Sequence, residues 1–472
     1  MKLPRNKTKI VATIGPASRD EKTLERMIKA GMSVARINFA HGSFEEHKKI
    51  IERIRRVSER MEEPIAVLGD LPGVKIRVGE IAGGSVTLRR WQTITLTTKD
   101  VLGNEAIIPV KFKRFPKLVS RGDLIYLSDG FITLKVERVE DTDVVCKVIV
   151  GGTLFSHKGI NIPKARLPLE ALTKRDFEIL DFIAENGVDA VGISFVGSAY
   201  DVLRVRRYLE DRKFKAFLVA KIERPDAVRN FNEILRVADG IMIARGDLGV
   251  ELPIEKLPIL QKKLIHRANT EGKPVITATQ MLESMTHEKL PTRAEVTDVA
   301  NAILDGTDAL MLSEETAVGK YPLESVKMMA KIAKTTEAYR ESRWTTVLQS
   351  FDEGRRKATI KEAIARSIIE ALKTVNVHYI LTPTRTGETS RLIARFKPPQ
   401  WVLAFTKSEK VARFLTFTYG VYPFTVEKET EETIIELIQG LGLVEEGDVV
   451  LLTKGTPVGR TSGTNTVRIF QV

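Results

Sequence analysis

Phe217-Leu-Val-Ala-Lys221-Ile-Glu223 and Gly240-Ile-Met-Ile-Ala-Arg245-Gly-Asp247 decide how this chain is read. Each is an apolar run of strand length that ends in a charged cluster. Charged groups at the end of a buried strand are costly in a core. At the mouth of a parallel barrel they stand where catalytic groups belong. Together the two runs supply two carboxylates and a lysine for one small site. Such hard oxygen donors suit a magnesium ion that also holds a phosphate.

Six further runs have the same form, at residues 9–15, 34–40, 65–71, 189–195, 275–280 and 308–313. All are rich in Val, Ile and Ala with little polar alternation, as expected for strands covered on both faces. Helix-patterned segments lie between most of them, at 21–30, 44–59, 174–185, 199–211, 257–270 and 294–304. Ser43 and Thr173 stand where helix N-caps are expected. Eight strands alternating with helices predict a (β/α)8 TIM barrel. An open doubly wound sheet would gather its polar strand ends at one crevice; here seven of the eight runs end in polar or charged residues.

The barrel pattern is interrupted. Residues 74–161 read as all-β, with alternating runs such as Gln92-Thr-Ile-Thr-Leu-Thr-Thr and the strand-like Asp143-Val-Val-Cys-Lys-Val-Ile-Val. Gly83-Gly84, Gly103-Asn104 and Asp129-Gly130 are the expected turns. The expected organisation is a first barrel part (1–73), an inserted β-barrel lid domain (74–161), a second barrel part (162–340) and a C-terminal α/β domain (341–472).

Composition narrows the function classes. The chain has 472 residues, one cysteine, six histidines and a formal net charge of +13. A lone Cys146 excludes an intrachain disulfide. No apolar run approaches the about 20 residues of a membrane span, and no secretory leader pattern is seen. A cytoplasmic enzyme without membrane contact is expected. The basic residues are interleaved with acids and form no tail or aromatic platform, so anionic small substrates fit better than nucleic acid. No P-loop or dinucleotide fingerprint is present, which leaves strand-end side chains to hold phosphate. Arg36, Asn38 and His41 alternate at the end of the second strand, and Arg77 follows the third.

Longer blocks then agree in order. Ala220-Lys221-Ile222-Glu223-Arg224, Asp239-Gly-Ile-Met-Ile-Ala-Arg-Gly-Asp-Leu-Gly249, Lys273-Pro-Val-Ile-Thr-Ala-Thr-Gln-Met-Leu-Glu-Ser284 and Pro291-Thr-Arg-Ala-Glu295 resemble the pyruvate kinase family, as do Gly15-Pro16-Ala17-Ser18 and residues 32–42. The resemblance runs across the whole chain. It implies phosphoryl transfer from phosphoenolpyruvate to ADP, giving pyruvate and ATP. By resemblance, Glu223 and Asp247 hold Mg2+, with Mn2+ an alternative, and Lys221 stabilises the phosphoryl group in flight. Gly246, Asp247, Thr279, Ser194, Lys221 and Arg36 bind the substrate, with Lys221, Thr279 and Arg36 catalytic. Asn38, His41, Arg77, Lys158 and Asn161 fall on nucleotide positions.

One departure is informative. Many members hold a potassium ion with an Asn, a Ser, an Asp and a Thr carbonyl, beside a glutamate. Here Asn38 and Asp70 remain, but Ala40, Leu71 and Lys75 replace the other three. A lysine ammonium supplies one positive charge and repels a neighbouring cation, so K+ is expected not to be required. In the C-terminal domain, Thr384-Arg-Thr-Gly-Glu-Thr-Ser-Arg391 resembles a loop that takes an effector phosphate. Glu388 there opposes fructose bisphosphate but leaves another phosphorylated effector open, and the loop at 455–466 is expected to close over that pocket. A homotetramer follows from the resemblance. The rival reading is another Mg-dependent phosphoenolpyruvate or pyruvate barrel enzyme, aldolase-like, with no need of ADP.

Overall fold

The computed structural model describes residues 1–128, 130–163, 172–341, 359–455 and 463–472. Eight parallel strands close into a barrel: β1 (Lys9–Thr13), β2 (Met32–Asn38), β3 (Ala66–Asp70), β4 (Ala190–Ile193), β5 (Phe217–Ile222), β6 (Gly240–Ala244), β7 (Val275–Ala278) and β8 (Ala309–Leu312). Each pairs with its neighbours in sequence, and β8 returns to β1, with Lys9 opposite Ala309. Alternate side chains serve two cores, as the pleat requires. Ile10 and Ala12 of β1 join the layer beneath the surrounding helices. Val11, with Val34, Leu68, Val219, Met242, Ile276 and Met311, fills the barrel interior.

The expected caps form. Ser43 and Thr173 each accept the N3 amide of their helix while the N3 carboxylate returns to the cap amide. One expectation shifts: Arg245-Gly246-Asp247 does not extend β6 but opens a helix, Arg245–Glu251. An acidic Asp247 in a first turn is favoured by the helix dipole, and the turn presents its backbone to the barrel mouth.

Between β3 and β4 the chain builds a six-stranded sheet in the order Ile160–Asn161, Leu124–Leu127, Ile132–Val139, Asp143–Val150, Thr93–Thr97, Ile107–Pro109, with Ser85–Leu88 and Gly152–Phe155 paired beside it. It has its own core around Phe115, Leu134 and Cys146. The Gly83-Gly84 turn has positive φ at both residues (68° and 81°), which only glycine adopts cheaply. Asp129, half of another expected turn, lies outside the described residues.

The C-terminal unit is a five-stranded sheet, ordered Val421–Thr425, Trp401–Thr406, Tyr379–Pro383, Val449–Lys454, Thr466–Gln471, the last strand antiparallel. The sequence reading lacked Val421–Thr425, whose Pro423 argues against a strand; it is tolerated because this strand lies at the sheet edge. The boundary expected between residues 340 and 341 falls in the last turn of the helix Pro322–Glu341; residues 342–358, and residues 456–462 of the expected closing loop, lie outside the described residues. Phe417 and Phe414 reach the base of the barrel, each 5.4 Å from Phe217 at the start of β5. The stoppered base leaves the opposite, C-terminal mouth open for chemistry.

Candidate active site

The mouth is built from strand ends. Lys221, the penultimate residue of β5, points among oxygen atoms: Ser194 Oγ at 2.7 Å, Glu223 Oε1 at 3.0 Å and Asp70 Oδ1 at 3.1 Å. Its side chain is 11% exposed, and those of Asp70 and Glu223 are 1% and 2% exposed. Arg36, from β2, grips the other Asp70 oxygen at 2.7 Å and receives Thr13 Oγ1 as a further acceptor at 2.9 Å. Asp70 is therefore the hub that separates two cations. Sequence reasoning assigned it only to a potassium site and did not single out Thr13, although a polar residue ending β1 was the available signal.

The electrostatics follow from burial and partners. Burial alone would push the Asp70 carboxyl up, but Lys221 and Arg36 outweigh it and hold Asp70 below its usual range. Burial alone would likewise discharge Lys221, yet Asp70 and Glu223 keep its amine firmly protonated. Burial raises Glu223; Lys221 pulls it back and Asp247 pushes it further up. The Glu223 Oε2 accepts the Phe195 amide at 2.7 Å.

Asp247 faces this cluster from the first turn of Arg245–Glu251. Its carboxylate is not paired with Arg245, which bonds Asp298 at 2.7 Å instead. It is paired with Lys75, Nζ to Oδ1 at 2.8 Å. The sequence reading grouped Lys75 with Asn38 and Asp70; in the structure the Lys75 amine bonds Asp247, and the other two have partners of their own. Asn38 Oδ1 caps the Ala40 amide at 3.2 Å, and Asp70 is occupied by Arg36 and Lys221.

Thr279, just past β7, has φ of 71°, and the following Gln280 has 53°. Its Oγ1 accepts the Gly246 amide at 2.7 Å and donates to Ala278 O at 2.6 Å. The Gly246 amide, expected to face a substrate carboxylate, is thus engaged by the very hydroxyl expected beside it. One small ligand group entering between them would replace that bond with two.

The expected nucleotide residues are more dispersed. Arg77 and Lys158 are exposed on the insert, and Arg77 donates to His157 O at 3.0 Å. His41 is exposed before the helix Phe44–Met61, and its carbonyl meets the His47 ring at 2.9 Å. Asn161 is buried and reaches Glu251 Oε1 at 3.4 Å, linking the insert to the helix of Asp247. Burial pushes the Glu251 carboxyl up to about 7, a residue that sequence reasoning missed because nothing local marks it. A cavity of about 1560 Å³ runs from the insert tip (Tyr126, Phe131) past Asp247 and Thr279 to Asp298.

Among the described residues, no three His, Cys, Asp or Glu side chains converge to hold a metal by themselves. A pair of carboxylates with room for ligand oxygens nevertheless suits a divalent ion that completes its shell with substrate and water.

Comparison with known proteins bears on the same features. Residues 5–326 match the family described as "Pyruvate kinase, barrel domain", and residues 362–470 match "Pyruvate kinase, alpha/beta domain". The chain is 65% identical to a pyruvate kinase of Thermococcus litoralis over all of both chains. It is 41% identical to one of Thermotoga maritima over 98% of this chain and 99% of that one. The crystal structure of a pyruvate kinase from Cryptosporidium parvum superimposes with a TM-score of 0.92 at 35% identity, covering 99% of this chain and 96% of the other. The two domain matches and the full-length likeness agree, and the chain belongs to the pyruvate kinase family.

Proposed function

We propose that this family member transfers the phosphoryl group of phosphoenolpyruvate to ADP, using the cluster around Lys221. The observation that carries the reading is the single amine of Lys221 held by Asp70, Glu223 and Ser194 at the barrel mouth, with Asp247 facing it. The bond between the enol oxygen and phosphorus breaks, a bond from an ADP phosphate oxygen to phosphorus forms, and the enolate left behind takes a proton at carbon to become pyruvate.

Each residue has a role suited to that charge flow. The Lys221 amine offsets charge on the phosphoryl group in flight and on the enolate oxygen. Arg36, anchored by Asp70 and Thr13, presents its remaining donor edge to the transferring phosphate. Ser194 fixes the Lys221 amine. Thr279 Oγ1 and the Gly246 and Asp247 amides take the substrate carboxylate, and Thr279 stands beside the carbon that is protonated. Glu223 and Asp247 would hold Mg2+, or Mn2+, which when bound neutralises the substrate oxygens and orients them. Asn38, His41, Arg77, Lys158 and Asn161 would hold the nucleotide as the insert (residues 74–161) moves over the barrel (1–73 and 162–340) and excludes water.

Lys75 supplies the fixed positive charge that supports independence from K+. Glu388 places a carboxylate on the expected effector loop of the C-terminal unit (341–472), which argues against a sugar bisphosphate there although Lys361 partly offsets its charge at 2.5 Å, and leaves a different phosphorylated effector open. A homotetramer in the cytoplasm, without nucleic acid or membrane partners, completes the reading; no helix among the described residues is long and apolar enough to cross a membrane.

The test follows pyruvate and ATP together from phosphoenolpyruvate, ADP and Mg2+. Equal amounts of both, lost in Glu223→Gln, support the reading. Pyruvate released without ADP would sink it in favour of an aldolase-like enzyme.

A further inference from the structure

Arg245 has every appearance of a charge waiting for an anionic ligand, since it opens a helix at the cavity wall. Its contacts say otherwise. The guanidinium is spread over three fixed acceptors: Asp298 Oδ1 at 2.7 Å, Thr279 O at 2.8 Å and Ala278 O at 3.3 Å. The Met281 sulfur lies 2.8 Å from the same nitrogen that serves Thr279. Its side chain is only 12% exposed. Little of the donor fork remains for a ligand.

The acceptors it chooses are the two peptide carbonyls on either side of the Thr279 turn. That turn is strained. Thr279 is β-branched and holds φ of 71°, and Gln280 follows at 53°; non-glycine residues rarely adopt this region, and β-branched ones least. Strain of this kind persists only where surrounding structure over-determines it. A planar guanidinium spanning successive carbonyls is such a constraint, whereas an ammonium is a single point. Asp298, on the helix Arg293–Leu304, holds the fork in register from its far side.

We infer that Arg245, oriented by Asp298, is a positioning residue that locks the left-handed Thr279 turn and so sets the Thr279 hydroxyl against the Gly246 amide. Arg245 touches no reacting atom. It ties the end of β7 to the start of the helix that carries Gly246 and Asp247, so one side chain fixes both halves of the carboxylate-binding corner. This rests on the reading of Thr279 as a substrate group given above.

The test is a double-mutant cycle. Arg245→Met and Thr279→Ala are each expected to lower kcat about a hundred-fold, the scale of a misplaced reacting geometry. The double variant should be no slower than the worse single one. Arg245→Lys should fail to restore the rate, methylguanidinium should partly rescue Arg245→Ala, and Asp298→Asn should give an intermediate loss. Mn2+ binding, read by electron paramagnetic resonance, should stay within about two-fold of wild type, because Asp247 keeps its place. Additive losses in the double variant overturn the inference. So does a parallel loss of Mn2+ binding, which would mean that the helix has collapsed. An inactive wild type would sink the functional reading instead, so the two failures are distinguishable.

Discussion

The amine of Lys75 lies 2.8 Å from Asp247 Oδ1. It joins the first residues of the inserted sheet to the helix that leaves β6. The lysine stem passes close over Gly159, just before the strand Ile160–Asn161: a Cβ there would sit 2.8 Å from Lys75 Cε and push the flexible end of the lysine aside. The insert thus carries a positive charge to the edge of the carboxylate pair.

Lys75→Glu is expected either to make activity depend on K+ or to abolish it, because a carboxylate beside Asp247 adds repulsion where one positive charge now stands. Initial rates measured with and without added K+ decide this. Kinetics unchanged from wild type in both conditions would remove Lys75 from the account.

Lys221→Met should lower kcat by about 10²–10³, the cost of deleting one preorganised charge at the reacting group. Because Arg36 still compensates Asp70 and Glu223, already pushed up by burial, can take a proton, the thermal midpoint should change less than the rate. A variant that keeps wild-type turnover would show that the amine only balances buried carboxylates.

Glu251 gives a pH signature. Its carboxyl is pushed up to about 7 by burial, so the folded state holds the proton more tightly than the unfolded chain. That contribution to stability is complete below the ordinary carboxylate range and is lost as pH rises through about 7. Glu251→Gln should therefore raise the thermal midpoint relative to wild type at pH 8, and the difference should shrink towards pH 5. A gap that is constant, or widest at pH 5, is the contrary result.

Asp308 holds the base together. Its Oδ1 accepts Lys397 at 2.6 Å and the Tyr419 amide at 3.0 Å, while Oδ2 accepts the Val275 amide at 3.0 Å. Both charged side chains are 4% exposed. Asp308→Ala leaves a buried lysine unpaired, at a cost of about 3–5 kcal/mol. Differential scanning calorimetry should show a midpoint lower by several degrees, and a midpoint within error of wild type would refute the assignment.

The barrel was legible because the eight strands are buried on both faces and seven of the eight apolar runs lead into polar or charged residues, a pattern that periodicity conveys. Lys221, Glu223 and Asp247 were legible as residue types at strand ends, and Thr279 only through the family resemblance. Their partnerships were not. That Lys75 meets Asp247 rather than Asp70, and that Thr279 holds the Gly246 amide, depends on how the insert returns and on a left-handed turn that no local propensity announces. The edge strand Val421–Thr425 was not read from the sequence; its neighbours in space, not in sequence, make Pro423 acceptable there.

The most direct measurement is pyruvate and ATP formation from phosphoenolpyruvate, ADP and Mg2+ in buffer free of potassium and ammonium, followed by addition of K+. The account predicts the full rate before the addition and no gain after it. Product formed only once K+ is present would contradict the role given to Lys75, and no product in either condition would contradict the enzyme assignment itself.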